Sequence, residues 1–181
     1  VDGPFKNLFV QPAAGDAGSS LGAAALAHIQ LTGNRHSYES LEHVYLGPEY
    51  SADSIAALIG ETGIEALDFR GQEAELLNAI VDRLCEQKVI GWFHGRMEFG
   101  PRALGARSIL GDPRDPTMRD RLNALIKKRE GFRPFAPVIL EDYVDEHMDI
   151  GHPSRFMTET CKVTSNIDLP AITHVDGSAR V

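Results

Sequence analysis

Apolar residues recur at helical spacing in three segments of the first half of the chain. The longest is residues 72–87, where leucine, isoleucine and valine return every three or four positions. The alanine-rich run 21–31 is closed by Gly33, and glycine is typical of the position that follows a helix. Residues 51–63 begin with Ser51, which is a good N-cap residue. These patterns predict three helices.

Short apolar runs bounded by glycine, proline or polar residues predict strands. They lie at residues 7–10, 64–69, 89–93, 108–110, 156–164 and 171–181. Asp115-Pro116 predicts the start of a further helix, with the aspartate as N-cap, which ends near Glu130-Gly131. The acidic segment 141–148 predicts a short helix, and the polar segment 34–49 predicts a loop that contains a domain boundary. Helix and strand alternate, so we expect a mixed α/β fold.

The size and composition of the chain suit one domain, or one domain with part of another. It has 181 residues, of which 43% are hydrophobic, so it can build a packed core. No apolar run approaches the roughly 18 residues that a membrane span needs, and the first residues do not follow the pattern of a secretory signal. The sequence begins with Val1 and not with an initiator Met, so we expect Val1 to be a cut end. Cys85 and Cys161 predict two free, buried thiols in a cytosolic protein.

The charges are unevenly distributed along an acidic chain. The net charge is −8. Residues 88–133 hold 11 Lys and Arg against 5 Asp and Glu, a net of +6, and the rest holds 7 against 21, a net of −14. The acidic total argues against nucleic acid as the main partner. One basic segment in an acidic body indicates a site for a small anion.

The basic segment centres on GWFHGRMEFGPRALGARSILGDPR, residues 91–114, in which four arginines stand between glycines. Arginine presents a planar fork of donors that suits bidentate capture of phosphate or carboxylate. Glycine lets the backbone approach a ligand closely. The residues alone leave two interpretations open, a polyphosphate or nucleotide site and a surface loop held by salt bridges. Neither GxxxxGK[ST] nor GxGxxG occurs.

Three stretches resemble one family. Residues 91–137, which continue the arginine segment to FRPFAP, closely resemble the C-terminal region of O-carbamoyltransferases of antibiotic biosynthesis and nodulation-factor decoration. VQPAAGDAGSSLGAAALAH and PAITHVDGSARV match the same family in order and approximate spacing. His94 departs from the pattern, because the family more often has Gln there. The resemblance covers nearly all of the chain.

The resemblance implies a two-part enzyme. An N-terminal actin/hexokinase-like domain carries Fe²⁺ or a similar divalent metal and transfers the carbamoyl group to a small hydroxylated acceptor. A C-terminal YrdC-like domain, a twisted mixed sheet with flanking helices around a basic cavity, uses ATP with Mg²⁺ and carbamoyl phosphate to form carbamoyl adenylate. We expect residues 1–45 to be the tail of the first domain and 46–181 to be the second, truncated at both ends. The implied location is cytoplasmic, without a membrane.

The same resemblance gives each candidate residue an expected role. Arg96, Arg102 and Arg107 are expected to be catalytic, by binding phosphate and carbamoyl oxygens. The expected further ligands of ATP and carbamoyl phosphate are Arg114, Ser108, Lys127, Arg129, Arg133, Arg180 and His94. Structural alternatives stay open, since cations also favour helix C-termini and a lone histidine after a strand is often a hydrogen-bonding group. Glu98 is expected to orient an arginine.

Asp16 is a special case, because it stands between a predicted strand and a helix start. Its ordinary role there is an N-cap. By resemblance it completes the metal site of the full-length transferase with two histidines upstream of Val1, and we expect no catalytic metal on Asp16 in this chain.

Two alternatives compete with the carbamoyltransferase interpretation. One is a nucleotide-binding or docking module without turnover of its own, and the other is a YrdC-type tRNA-modification factor. The sequence does not identify the acceptor, and it does not establish whether the chain is active alone.

Overall fold

The computed structural model describes residues 4–6, 8–35 and 41–181. Its longer helices are α1 (Asp16–Thr32), α2 (Ala52–Thr62) and α3 (Glu73–Cys85). A short helix α4 (Met118–Arg121) continues into a π-helical turn (Leu122–Lys127), and a 3₁₀ turn (Glu141–Tyr143) leads into helix α5 (Val144–His147). The strands are β1 (Ile90–Phe93), β2 (Arg107–Leu110), β3 (Met148–Asp149), β4 (Thr160–Val163) and β5 (Ser178–Arg180). The predicted mixed α/β class is confirmed.

The strands form two small antiparallel sheets in the described part of the chain. Strands β1 and β2 pair with Trp92 opposite Ser108 and Phe93 opposite Arg107. The second sheet has the order β3-β4-β5, in which Thr160 faces Arg180. A twisted mixed sheet was expected, but each of these strand pairs is antiparallel. The two sheets carry Ser108 and Arg180 on their strands.

The three long helices form where apolar periodicity predicts them. Ser51 caps α2 by accepting a hydrogen bond from the Ser54 N–H at 3.1 Å, and Gly33 follows α1 with φ of 72°. Helix α1 starts earlier than expected, with Gly15 as its N-cap and no side-chain cap, so the expected N-cap role of Asp16 is wrong. No residue of these three helices is fully buried in the described structure.

Several predicted elements do not form as expected. Residues 8–10 and 64–69 contain no strand, because no neighbouring strand pairs with them; Asn7 and residues 36–40 lie outside the described residues. The helix expected at Asp115 begins at Met118, since the Asp115 carboxylate accepts from the Thr117 N–H at 2.8 Å and holds a turn. The last two predicted strands shorten to β4 and β5.

Two clusters of buried apolar residues form in the second half of the chain. Met118, Leu122 and Ala171 form one cluster, with Val89, Ile109 and Phe135 packed against it. Met148, Ile172 and Ala179 form the other. Burial drives both clusters, since apolar surface removed from water stabilises a fold. Cys85 and Cys161 are free thiols as predicted, but neither is fully buried. Cys161 is half-buried, and Cys85 is exposed because it lies at the last turn of a helix that faces solvent.

Candidate functional site: a basic cavity

The loop between β1 and β2 is organised around the buried carboxylate of Glu98. Its Oε1 atom accepts hydrogen bonds from the N–H groups of Leu104 at 2.6 Å and Ala106 at 2.8 Å. Its Oε2 atom accepts from Nε of Arg107 at 2.9 Å. The Glu98 side chain is 0% exposed. Glu98 therefore closes the loop and orients an arginine, as expected from the sequence.

The environment of Glu98 keeps it ionised. Burial alone raises the pKa of this carboxyl, because a charge is poorly solvated inside a protein. Hydrogen bonds from the Leu104 amide, the Arg107 guanidinium and the Ala106 amide outweigh that effect and lower the pKa to about 2. The loop is thus held by a permanent charge at neutral pH.

Arg102 lies within the loop that Glu98 closes, and a neutral acceptor fixes its position. Its Nη1 atom donates to the carbonyl oxygen of Pro12 at 3.1 Å. The backbone comes close there, because a Cβ on Gly100 would meet the Cβ of Ala13 at 3.0 Å, and Gly100 has φ of 118°. Glycine is the residue that adopts this conformation without strain. The turn before α1 therefore helps to place a cavity arginine.

A cavity of about 630 Å³ opens beside this loop. Six of the sequence-predicted residues line it together, namely Arg102, Arg107, Ser108, Lys127, Arg129 and Arg180. Apolar and aromatic groups, among them Trp92 and Phe135, complete the wall. Among the described residues the lining contains no Asp or Glu. The cavity volume lies in the range of small-molecule sites.

Arg180 lies close enough to two other cavity arginines to be affected by their charge. The pKa of Arg180 is lowered, first because burial removes the guanidinium from water and then because Arg102 and Arg129 add like charge. Within the described structure, the Nε atom of Arg180 is buried and has no hydrogen-bond partner. A bound anion would relieve both the repulsion and the missing hydrogen bond.

Arg129 is also fixed by neutral groups. Its Nε atom donates to Oδ1 of the buried Asn123 at 2.7 Å, and its Nη2 atom donates to the Pro134 carbonyl oxygen at 3.4 Å. Its guanidinium carbon lies 4.9 Å from the ring centre of Phe135, which is a cation–π contact. Arg129 is thus positioned without losing its charge to a carboxylate.

The cavity also contains residues that sequence reasoning missed. His152, Ser154, Arg155 and Met157 line it from the segment before β4. The only signal in the sequence is the basic residue Arg155 beside a serine, which is too common to indicate a site. The pairing of β4 with β5 brings this segment to the cavity.

The structure places the remaining predicted residues away from the lining. The Nε atom of Arg96 lies 3.8 Å from Oε2 of Glu49 at the surface. The Nε atom of Arg133 lies 3.9 Å from Oε2 of Glu130, also at the surface. Arg114 bonds to the buried Asp112 with an Nη2 to Oδ2 distance of 2.6 Å. The ring of His94 stacks on Trp92, with centroids 5.8 Å apart. The structure does not bring these four residues together with the six in the cavity.

Asp16 lies exposed in the first turn of α1. Across residues 4–6, 8–35 and 41–181, no group of three or more His, Cys, Asp or Glu is arranged to hold a metal ion. In the same described ranges, no helix is long and apolar enough to cross a membrane.

A second cavity, of about 540 Å³, lies on the other side of residues 135–139. It is lined mainly by apolar side chains, including Met118, Leu122 and Tyr143. Arg114, Arg119 and His147 are its charged or titratable lining residues among those described, so the predicted ligand Arg114 lies at this cavity and not at the first one.

Comparison with known proteins adds a family to this geometry. The family model described as "Carbamoyltransferase C-terminus" matches residues 81–181. That range contains the loop closed by Glu98 and every residue of the basic cavity.

Three relatives illustrate the similarity. The chain is 42% identical over 190 residues to nodulation protein NolNO of Sinorhizobium fredii, covering 99% of this chain and 27% of that protein. It is 42% identical over 185 residues to nodulation protein NolO of Bradyrhizobium diazoefficiens, covering 99% and 33%. It is 39% identical over 181 residues to 3'-hydroxymethylcephem-O-carbamoyltransferase of Amycolatopsis lactamdurans, covering 99% and 32%. The chain thus spans about a third of the length of these relatives.

Proposed function

The chain belongs to the carbamoyltransferase C-terminus family, and on that premise we propose that its basic cavity binds ATP and carbamoyl phosphate. We further propose that the cavity forms carbamoyl adenylate for transfer to a hydroxyl of a small acceptor. The acceptor and the transfer step belong to the whole enzyme, of which this chain has the length of about a third.

One observation carries the proposal: Arg102, Arg129 and Arg180 share a cavity without any carboxylate among the described residues. Such a cluster is unfavourable without an anion, because like charges at short range repel. Phosphate and carbamoyl groups supply several acceptor oxygens each, so one ligand can satisfy several guanidinium groups.

The proposed reaction needs placement and charge neutralisation more than it needs a nucleophilic side chain. Hydrolysis of carbamoyl phosphate consumes one water molecule, breaks the bond that joins the carbamoyl and phosphate groups, and yields carbamate, inorganic phosphate and a proton. A carbamate oxygen attacks the α-phosphorus of ATP, the bond to the bridging oxygen of the β-phosphate breaks, and pyrophosphate leaves. Positive side chains stabilise the charge that gathers on these oxygens.

The cavity residues have different proposed roles in ligand binding, according to their surroundings. Arg102, Arg129 and Arg180 keep their charge for the ligand, whereas Arg107 shares its charge with Glu98. The hydroxyl of Ser108 accepts from the Gly105 N–H at 3.2 Å and is free to donate to a phosphate oxygen. Mg²⁺ would bind as part of the ATP complex, because the described lining contains no carboxylate that could hold the ion.

Replacement of Arg102 tests the proposal. We expect Arg102→Ala to abolish binding of ATP or carbamoyl phosphate in calorimetry while the unfolding midpoint changes little. Arg70→Ala is the matched control, because Arg70 pairs with Asp68 at the surface and does not line the cavity. Unfolding of Arg102→Ala, with intact ligand binding in any folded fraction, would favour a structural role.

Two further measurements separate the alternatives. Release of pyrophosphate from ATP in the presence of carbamoyl phosphate supports adenylation. Tight binding of ATP and carbamoyl phosphate without release of pyrophosphate identifies a docking module. Tight binding of tRNA with a steep dependence on salt concentration would favour an RNA-modifying factor.

A further inference from the structure

The guanidinium group of Arg180 is held less firmly than those of Arg102 and Arg129. The latter two each donate to neutral oxygen atoms that fix their positions. Within the described structure, the Arg180 guanidinium donates to no protein group, and its buried Nε atom has no hydrogen-bond partner. The direction of this side chain therefore depends on how strand β5 is fixed.

Two features fix β5 in addition to its pairing with β4. Ala179 is 0% exposed and packs in one of the two apolar clusters. Side chains alternate along a strand, so Ser178 lies on the same face of β5 as Arg180. The second feature is the turn of residues 174–178, in which the N–H of His174 donates to the carbonyl oxygen of Ser178 at 2.7 Å. This turn ends where β5 begins.

The side chains of His174, Asp176 and Ser178 form a chain of hydrogen bonds across this turn. Oδ1 of Asp176 accepts from the Ser178 hydroxyl at 2.7 Å and from the Ser178 N–H at 3.0 Å. The hydroxyl has a single proton and donates it to Asp176, so its oxygen accepts from Nδ1–H of His174, which lies 3.0 Å away. These contacts fix the tautomer of neutral His174, with the proton on Nδ1.

This tautomer leaves one atom of His174 unsatisfied. Nε2 of the neutral ring is an acceptor, and it is buried without a hydrogen-bond partner among the described residues. Most buried polar groups in proteins are satisfied, because leaving water without a new partner is unfavourable. A side chain that makes one hydrogen bond and leaves another unmade adds little to stability. Stability of the fold alone therefore does not explain His174.

We propose that His174 is a positioning residue, which holds the start of β5 through Ser178 and thereby directs Arg180 toward the anion. This inference rests on the proposed function, because it names a support for the same anion site. His174, Asp176 and Ser178 are not among the described residues that line the basic cavity. They act on the ligand through β5, since Arg180 lies only two residues beyond Ser178.

The proposal predicts that His174→Ala weakens binding of inorganic pyrophosphate, because the direction of Arg180 is no longer fixed. The affinity measured by calorimetry should fall about fivefold, which corresponds to the loss of one hydrogen bond. Arg180→Ala should weaken binding further than His174→Ala does. When Arg180→Ala is already present, His174→Ala should have no additional effect, since no guanidinium remains to be positioned.

Two further variants test the hydrogen bond itself. His174→Asn places an amide N–H₂ group near the position of Nδ1 and has no atom at the position of Nε2. It should therefore restore the affinity and keep the unfolding midpoint of the wild type. Ser178→Ala removes the hydroxyl that links His174 to Asp176 and should weaken binding as His174→Ala does. Because Ser178→Ala removes a single oxygen atom, it carries the same test if His174→Ala fails to fold.

His147→Ala is the matched control, because His147 makes the same kind of contact elsewhere. Its Nδ1 atom lies 2.8 Å from Oγ of Ser165, and it directly precedes β3 of the same sheet. It does not line the basic cavity. His147→Ala should therefore lower the unfolding midpoint and leave the affinity for pyrophosphate unchanged.

The outcomes distinguish this proposal from the one on which it rests. If Arg180→Ala weakens pyrophosphate binding and His174→Ala does not, the role of His174 is overturned while the anion site stands. If His174→Ala causes the same loss with and without the Arg180 side chain, or if His147→Ala causes a similar loss, the effect is a general structural one and the proposal is also overturned. If the wild type binds neither pyrophosphate nor ATP, both proposals fail together.

Discussion

Replacing Glu98 with glutamine isolates the charge that closes the arginine loop. Glutamine keeps the shape of the side chain, but it removes the negative charge that faces Arg107 and brings an amide N–H₂ group toward the donors around it. We expect Glu98→Gln to fold less stably and to bind pyrophosphate more weakly, because the loop that carries Arg102 and Arg107 loses its anchor.

The size of the stability effect follows from the pKa of Glu98. The folded protein lowers this pKa from 4.5 to about 2. At roughly 1.4 kcal/mol for each pKa unit, the ionised carboxylate contributes about 3 kcal/mol at pH 7. The unfolded chain takes up its proton near pH 4.5 and the folded protein only near pH 2. The contribution is therefore complete above pH 4.5 and is lost as the pH falls toward 2, with about 2 kcal/mol lost by pH 3.

Urea unfolding of both proteins at pH 7 and pH 3 measures this effect. The difference in unfolding free energy between wild type and Glu98→Gln should be about 3 kcal/mol at pH 7 and about 1 kcal/mol at pH 3. Glu130→Gln is the control, since Glu130 is exposed and its contact with Arg133 is a surface pair that contributes little. A difference for Glu98→Gln that is equal at both pH values would refute the assigned role of the charge.

Three other predictions test the cavity and its supports. Gly105→Ala should destabilise the protein by about 1–3 kcal/mol in thermal unfolding, because Gly105 has φ of 111° and its new Cβ would lie 3.2 Å from the Tyr45 hydroxyl oxygen. Asn123→Ala should weaken pyrophosphate binding and lower stability together, since Asn123 is buried and holds Arg129. Raising the NaCl concentration should weaken pyrophosphate binding to the wild type, and less so to Arg129→Ala, in calorimetric titrations. Equal salt dependence in both proteins would contradict a role of that arginine in the anion site.

The sequence predicts the helices and most of the cavity cations, because both depend on residues that lie close together in the chain. The periodicity of residues 72–87 produces α3, and the glycine-rich arginine segment produces the loop around Glu98. Residues 64–69 have a strand pattern but no strand to pair with. A strand needs a partner for its backbone hydrogen bonds, and a single sequence does not reveal that partner.

The segment before β4 shows the same limit at the basic cavity. Ser154 reaches the cavity through the pairing of Thr160 with Arg180, a contact between distant parts of the chain. Nothing within the neighbouring residues marks this serine as special. Its signal is a missing hydrogen bond, which exists only once the fold has buried the hydroxyl.

The hydrogen-bond partners of the arginines explain why some of them line the basic cavity while others stabilise the loops around it. Arg107 pairs with the buried carboxylate of Glu98, and Arg114 pairs with that of Asp112. These carboxylates neutralise much of the charge of the two arginines. Arg102 and Arg129 are held by the neutral oxygens of Pro12, Asn123 and Pro134. A neutral acceptor fixes the direction of a guanidinium group and leaves its charge uncompensated. Arg102, Arg129 and Arg180, which have no carboxylate partner among the described residues, are therefore the cavity arginines that a ligand can stabilise most.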